Sequence, residues 1–205
     1  MTDLRDSLVR ALGDAARRAP EPPRPDLTAA AAAAGLLDVA YAELDSPLGT
    51  LLLAATPRGL VRVAYLDSDQ EDAVLAALAA KVSPRLLRAP RKLDGPRREL
   101  DEYLSGGRRR FELALDWRLV RGFGRRVLEA TARIPYGSVS TYKLIATEAG
   151  NPRASRAAGN ALGANPLPIV VPCHRILHSG GGLGGYTGGL ERKRRLLEIE
   201  RGQGA

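Results

Sequence analysis

The sequence predicts an α+β fold, in which a small N-terminal domain of sheet and helix precedes a mostly helical C-terminal domain with a helix-turn-helix. Between residues 39 and 66, short apolar runs are separated by Ser46-Pro47 and Pro57-Arg58-Gly59, a pattern typical of strands joined by turns. After Leu119 the apolar residues recur at helical spacing instead. We therefore divide the chain into an extension (1–36), an N-terminal domain (37–117) and a C-terminal domain (118–205).

The composition argues against several classes of protein. The alanine run 29–34 is too short and too weakly apolar to cross a membrane, and the first residues lack the order of a signal peptide, so we expect a cytoplasmic protein with no membrane association. One cysteine cannot form an internal disulfide. One cysteine and two histidines are too few ligands for a structural zinc site, so we expect no metal.

The charge balance favours a nucleic-acid partner. The formal net charge is +8, and only four of the 31 basic residues are lysines. The planar guanidinium of arginine suits phosphate oxygens, so this charge is suited to a DNA or RNA backbone. The alternative is a biased genome composition with the charges spread over a solvated surface.

The N-terminal elements follow from short patterns. Residues 1–36 combine a short amphipathic stretch, a proline-rich segment and the alanine run, which predicts a poorly ordered extension. A capping box at Ser68-Asp69-Gln70-Glu71 predicts the start of a helix. A second helix is predicted after Asp94, ending at Gly106-Gly107. The predicted strands are 39–44, 49–55 and 60–66, with one more at 111–117.

The C-terminal domain begins with a helix that Pro135-Tyr136-Gly137 should end. Ser140 is predicted to cap the next helix, with Val139 and Leu144 as a hydrophobic staple, and that helix should close at Gly150. Asn151-Pro152 should start a third helix that runs to Gly163. Two helices joined by so short a turn predict a helix-turn-helix, whose second helix usually contacts DNA.

The second helix of that pair has a distinctive composition. Arg153, Arg156 and Asn160 are predicted to share one face, among side chains of minimal bulk. Such a helix can approach a DNA groove closely, but it lacks the long polar side chains that read bases in the major groove. The alternative is that the small residues serve tight packing inside the protein.

The segment Ile169-Val170-Val171-Pro172-Cys173-His174 contains the single cysteine. The apolar run predicts a buried strand or core segment, and Pro172 would fix the chain directly before the thiol. An imidazole can act as the base that converts a thiol to the nucleophilic thiolate, which makes His174 a candidate partner. The alternative is that Cys173 is only a small buried hydrophobic residue.

Three further features surround the cysteine. Asn165 lies at a helix exit between prolines, which predicts a fixed hydrogen-bonding hinge. Residues 179–189 are rich in glycine and contain Tyr186, which predicts backbone amides lying close to a flat ligand. Glu200 shares the apolar face of the last helix with Leu196 and Leu197 and needs a buried partner, for which His174 is suited.

These residues resemble the O6-alkylguanine-DNA alkyltransferases, also called methylated-DNA–protein-cysteine methyltransferases. The resemblance rests on Pro172-Cys173-His174-Arg175, on Asn165-Pro166-Leu167-Pro168 before it, and on Gly184-Gly185-Tyr186-Thr187-Gly188-Gly189-Leu190 after it. It runs without gaps from about Ile134 to Glu200. Upstream, Leu48-Gly49-Thr50 is loosely similar to the family's ribonuclease H-like N-terminal domain.

The resemblance implies roles for individual residues. Cys173 would accept the alkyl group, His174 would be its base through a water molecule, and Glu200 would orient His174. Asn165 would brace the active-site turn, and Tyr142 would rotate the phosphate and donate to the purine. The residues implied to bind DNA are Arg156 as an arginine finger and Tyr142, to which the helix pattern adds Arg153 and Asn160. The residues implied to line the substrate pocket are Pro168, Ile176, Tyr186 and Thr187.

The implied function is direct-reversal DNA repair in a single turnover. The protein would turn O6-alkylguanine, and also O4-alkylthymine, out of double-stranded DNA and move the alkyl group irreversibly to Cys173. It would need no cofactor and would act as a monomer. Two alternatives are a cysteine hydrolase, which would turn over repeatedly, and a lesion-binding protein without repair activity.

Overall fold

The computed structural model describes residues 27–67 and 71–202, and it confirms the predicted α+β class. The helices in this part of the chain are α1 (Leu27–Ala33), α2 (Glu71–Lys81), α3 (Asp94–Leu104), α4 (Gly122–Ala132), α5 (Tyr142–Glu148), α6 (Ser155–Gly163) and α7 (Leu190–Arg201). The strands are β1 (Val39–Leu44), β2 (Leu51–Thr56), β3 (Gly59–Tyr65), β4 (Leu86–Arg88), β5 (Ser140–Thr141) and β6 (Ile176–Leu177).

Two predictions near the N-terminus lie partly outside the described residues. Of the predicted extension, residues 1–26 are not described, and residues 27–33 form helix α1. The helix replaces the expected irregular chain because alanine has the highest helix propensity of any residue. Of the predicted capping box, Ser68 to Gln70 lie outside the described residues, while α2 begins at Glu71.

The four-stranded sheet has the order β3-β2-β1-β4. The hairpins β1–β2 and β2–β3 are antiparallel, as the predicted meander requires, and β4 adds parallel to β1. Strand β2 is buried along almost its whole length, since Leu52 packs towards α2 and Leu53 towards α3 and the C-terminal half. A strand that is buried on both faces has consecutive apolar residues instead of alternating ones, as in Leu51-Leu52-Leu53.

The structure corrects the strand predicted at 111–117. Only Leu115 forms a bridge, to Leu60 of β3, and the chain then turns away. The turn is fixed by Asp116, whose carboxylate accepts from the Thr56 hydroxyl at 2.6 Å and from the Arg118 amide at 3.1 Å. The pairing therefore ends after one residue, while the three-residue strand β4 was too short to be predicted.

The helix boundaries of the C-terminal half differ from the prediction at two points. Thr141, not Ser140, caps α5 by accepting from the Leu144 amide, because strand β5 includes both residues and the helix begins only at Tyr142. Val139 and Leu144 are both about half exposed, and with Thr141 as the cap they no longer occupy the two positions that a hydrophobic staple joins. Residues 151–154 form a turn, closed by the Ala154 amide on the Asn151 carbonyl, and α6 begins at Ser155 instead of Pro152.

One hydrophobic core joins the two halves of the chain. Leu53 and Tyr103 from the N-terminal half belong to the same buried cluster as Val127, Ile145 and Leu196 from the C-terminal half. Helices α4, α5 and α6 pack against one another on one side of this core. Within residues 27–67 and 71–202, each helix is too short or too polar to cross a membrane.

Candidate active site

Cys173 lies at the start of a short 3₁₀ turn, Cys173–Arg175, that follows a tight bend. The run from Ile169 to Val171 is buried but forms a turn, so of the two predicted alternatives the strand is wrong and the core segment is right. Ile169 has a φ of 72°, which strains a β-branched residue. Pro172 then adopts the dihedrals of an inverse γ-turn, in which the Cys173 amide donates to the Val171 carbonyl at 2.8 Å.

Asn165 holds this bend through three hydrogen bonds. Its amide nitrogen donates to the Val171 carbonyl at 2.9 Å and to Sγ of Cys173 at 3.2 Å, while its oxygen accepts from the Leu167 amide at 2.9 Å. The side chain is buried, so these bonds are shielded from water. The position of Asn165 fits the predicted hinge.

The thiol of Cys173 is neutral in the resting protein. Burial raises its pKa to about 11, while the hydrogen bond from Asn165 and the charge of Lys193 act in the opposite direction. Because the thiolate is the nucleophilic form, the site needs a base that removes the thiol proton during reaction.

His174 and Glu200 form a buried pair. Nε2 of His174 lies 2.7 Å from Oε1 of Glu200, and both side chains are almost completely excluded from solvent. Burial lowers the pKa of His174 against the opposing effect of Glu200, which keeps the ring neutral at physiological pH. The carboxylate assigns the ring proton to Nε2, so Nδ1 is an acceptor; this atom is buried without a protein partner.

Glu200 is held by donors from both halves of the chain. Nε of Arg175 donates to both carboxylate oxygens at 2.9 and 3.0 Å, and the Gly137 amide donates to Oε2 at 2.9 Å. The hydroxyl of Tyr103, which lies on α3, donates to Oε1. Burial alone would raise the pKa of Glu200, but the bonds from His174 and Arg175, with a smaller effect of Tyr103, lower it to about 2.

Lys193 is a fully buried cation on α7. Its Nζ donates to the Ile176 carbonyl at 2.6 Å, to the Leu183 carbonyl and to the Gly185 carbonyl at 3.4 Å. Burial lowers its pKa to about 8, so the ammonium is still charged at neutral pH. Lys193 therefore ties the glycine-rich segment to the cysteine turn and contributes positive charge near the thiol.

A cavity of about 450 Å³ opens at Cys173. Its walls come from α5, α6 and the glycine-rich segment, and the lining residues include Tyr142, Gly159, Leu162, Cys173, Tyr186 and Thr187. Gly184 lets this segment approach the helix pair, because its φ is +67° and a Cβ there would lie 2.5 Å from the Tyr142 hydroxyl. Burial raises the pKa of Tyr142, so its phenol stays protonated as a donor.

The remaining predicted residues lie around the cavity. Pro168 and Ile176 are buried and are not among its lining residues; the Ile176 carbonyl already accepts from Lys193. Arg156 and Asn160 are exposed on α6, as predicted. Arg153 is exposed in the turn before α6, so the prediction that it shares a helix face with them is wrong.

Sequence reasoning missed two tyrosines of the N-terminal half. Tyr103 contacts Glu200, and the hydroxyl of Tyr65 lies 2.9 Å from that of Tyr186. Each is separated from its partner by about a hundred residues of chain, so spacing could not reveal the contact. The one available signal was a tyrosine inside an otherwise apolar pattern, since a buried phenol hydroxyl needs a partner.

Fold and site together define a class of protein: an α+β chain with one buried thiol, hydrogen-bonded to an asparagine, at a cavity bordered by a helix pair that exposes arginine. Family models identify the family within this class. Residues 39–117 match the ribonuclease-like domain of 6-O-methylguanine DNA methyltransferase, and residues 122–202 match its DNA binding domain. The chain belongs to the 6-O-methylguanine DNA methyltransferase family, which confirms the resemblance found in the sequence.

Individual relatives agree with the family models. The chain is 46% identical over 114 residues to a methylated-DNA–protein-cysteine methyltransferase of Mycolicibacterium paratuberculosis, covering 55% of this chain and 67% of the relative. The inducible methylated-DNA–protein-cysteine methyltransferase of Bacillus subtilis is 42% identical over 103 residues, covering 50% of this chain and 57% of that relative. The crystal structure of Mycobacterium tuberculosis OGT in complex with DNA is similar with a TM-score of 0.68 and 36% identity, covering 80% of this chain and 94% of that one.

Proposed function

We propose that this protein repairs double-stranded DNA by turning an O6-alkylguanine out of the helix and moving its alkyl group irreversibly to Sγ of Cys173. Family membership supports the general activity, that of a methylated-DNA–protein-cysteine S-methyltransferase. The observation that carries the finer proposal is the single buried thiol, bonded to Asn165, at a cavity whose other walls present Tyr142, Tyr186 and Thr187.

The position of the cavity favours a base that has left the DNA stack. An alkyl group on O6 of a paired guanine lies inside the duplex, where a buried sulfur cannot reach it. Helix α6 lines the cavity with Gly159 and exposes Arg156 and Asn160. DNA bound along α6 would therefore place an extruded base at the cavity. Extrusion costs a few kcal/mol, and this cost is lowest for a base whose pairing is already weakened.

The transfer is a substitution at the alkyl carbon. The thiol proton of Cys173 passes to the neutral imidazole of His174, directly or through water, and Glu200 stabilises the imidazolium that forms. The sulfur bonds to the alkyl carbon while the bond from carbon to O6 breaks. The electron pair of that bond stays with guanine, which gains a proton, and the Tyr142 hydroxyl is suited to donate to the departing base.

The product is a thioether, which is not hydrolysed under mild conditions, so one protein molecule performs one repair. O4-alkylthymine carries its alkyl group on a comparable exocyclic oxygen and is proposed as a second substrate. A cysteine hydrolase would instead form an ester or thioester that water opens, and it would turn over repeatedly.

The direct test is an intact mass after incubation with a duplex that contains one O6-methylguanine. We expect each protein molecule to gain one methyl group, located on the Cys173 peptide, and the DNA to contain guanine at the former lesion. The matched control is Cys173→Ser, which should bind the duplex and leave both masses unchanged. Unchanged protein mass with intact lesion, or repeated turnover, would overturn the proposal.

A further inference from the structure

The wall residue Tyr186 contacts a tyrosine of the N-terminal half. Its hydroxyl lies 2.9 Å from that of Tyr65, and the two rings meet edge to face with their centroids 6.4 Å apart. The ring of His174 approaches Tyr186 in the same manner, also at 6.4 Å. Tyr186 therefore lies between the N-terminal half and the proposed base, while it also lines the cavity at Cys173.

Tyr65 is itself held firmly. It is the last residue of β3 and only 2% of its surface is exposed. The guanidinium of Arg192 lies 4.4 Å above its ring and donates to the Leu48 carbonyl at 2.6 Å and the Gly188 carbonyl at 2.9 Å. A cation over an aromatic face is an attractive contact, and here its position is fixed by hydrogen bonds.

Gly188 lies against both tyrosine rings, where a side chain would not fit. A Cβ added at Gly188 would lie 2.5 Å from the ring of Tyr65 and 2.8 Å from that of Tyr186. Strand β3 also donates from the Val63 amide to the Pro166 carbonyl, next to Asn165. The edge of the N-terminal sheet thus contacts both the segment that leads to Cys173 and the cavity wall.

We infer that Tyr65 is a positioning residue that fixes Tyr186 and thereby sets which alkyl groups the cavity accepts. This inference rests on the proposed function and extends it, since it gives the N-terminal half a part in substrate choice. Tyr65 is not among the residues that line the cavity, so its effect passes through Tyr186. A benzyl group covers more of the wall than a methyl group does, so a displaced Tyr186 should affect benzyl transfer more.

The experiment measures second-order transfer rates to Cys173 from two duplexes of one sequence, which carry O6-methylguanine or O6-benzylguanine. For Tyr65→Phe we expect the ratio of benzyl to methyl rates to change by about two- to tenfold, the range of one buried hydrogen bond. Tyr186→Phe removes the same bond from the other side and should shift the ratio similarly. The double variant should shift it no further, since the two hydroxyls act as a pair.

The matched control is Tyr41→Phe, which removes a phenol hydroxyl from β1 on the face of the sheet that packs towards α2. It should leave the ratio unchanged. Equal fold-changes on both duplexes for Tyr65→Phe, or additive shifts in the double variant, would overturn the inference while the wild-type protein still gains its alkyl group. If the wild-type protein gains none, the proposed function itself fails.

Discussion

The hydroxyl of Tyr103 should stabilise the folded state by donating a hydrogen bond to the charged carboxylate of Glu200. In Tyr103→Phe the ring keeps its packing against Phe111 and Tyr136. The substitution removes the donor to Oε1 of Glu200 and a longer contact of 3.4 Å to Nε2 of His174. The carboxylate is not left unpaired, because His174, Arg175 and the Gly137 amide still donate to it. The variant therefore removes one charge-assisted hydrogen bond across the two halves, together with that longer contact.

The size of the effect can be bounded from the pKa of Glu200. All of its surroundings together lower that pKa from 4.5 to about 2, which corresponds to about 3.4 kcal/mol of stability at neutral pH. A hydrogen bond to a charged group is worth about 1.5 to 3 kcal/mol, so we expect a loss of that order, below the total. A carboxyl with a lowered folded pKa stabilises the fold above its unfolded pKa and loses this effect as the pH falls from about 4.5 to 2.

Two measurements test this reasoning. Urea unfolding at pH 7 should show the loss for Tyr103→Phe, and acid unfolding should occur at a higher pH than in the wild type. The control is Tyr136→Phe, which removes a neutral bond to the Ile199 carbonyl of 3.0 Å and should cost only about 0.5 to 1.5 kcal/mol. If Tyr103→Phe costs no more than this control, or its acid midpoint matches the control's, the assigned role of Tyr103 is wrong.

Three further predictions concern the cysteine and the helix pair. Asn165→Ala should lower the free energy of unfolding by about 1 to 3 kcal/mol, because it leaves the buried Leu167 amide without a partner, while the Val171 carbonyl keeps its bond from the Cys173 amide. In urea unfolding, Asn160→Ala on the exposed face of α6 should change little, and a similar loss for both would contradict this. Arg156→Ala should slow repair in duplex DNA by about fivefold or more while reaction with free O6-benzylguanine stays near the wild-type rate; equal losses would remove Arg156 from base extrusion. The transfer rate to free O6-benzylguanine should not rise between about pH 7 and 9, since His174, whose pKa is lowered, is neutral throughout; it should fall modestly as Lys193, whose pKa is about 8, loses its charge near the thiol. A rise of nearly tenfold per pH unit would instead indicate simple titration of the Cys173 thiol, whose pKa is about 11.

Local patterns predicted much of the fold. The strands of the meander, helices α3 and α4 and the last helix follow from periodicity and end signals that lie within a few residues of one another. The errors occur where distant contacts decide. The segment at 111–117 has a strand-like composition, but Asp116 bonds to Thr56, some sixty residues away, and turns the chain. Ser140 has the chemistry of a helix cap, but pairing of Ser140 and Thr141 with β6 delays the helix by one residue, so Thr141 is the cap.

The residues of the candidate site also fall into those that local sequence predicted and those that it did not. Cys173, His174 and Asn165 are close in sequence, and cysteine and histidine are rare in this chain, so the sequence alone indicated these residues. Glu200 was found because a carboxylate on an apolar helix face needs a partner. Tyr65 and Tyr103 were not found, since each contacts the site only after the two halves have packed together. Lys193 was not found because its partners are backbone carbonyls, which no side-chain pattern indicates.

The contacts of β3 decide whether the two halves of this protein could be expressed separately. A strand at the border of a sheet presents backbone groups that can pair with another chain, and proteins protect such borders. Here the Val63 amide bonds to the Pro166 carbonyl and the Leu60 amide to the Ala114 carbonyl, so residues from beyond the sheet cover that border. Cutting the chain between the halves would remove Pro166 from this border and leave the Val63 amide open to pairing with another chain, which favours expressing the two halves as one polypeptide.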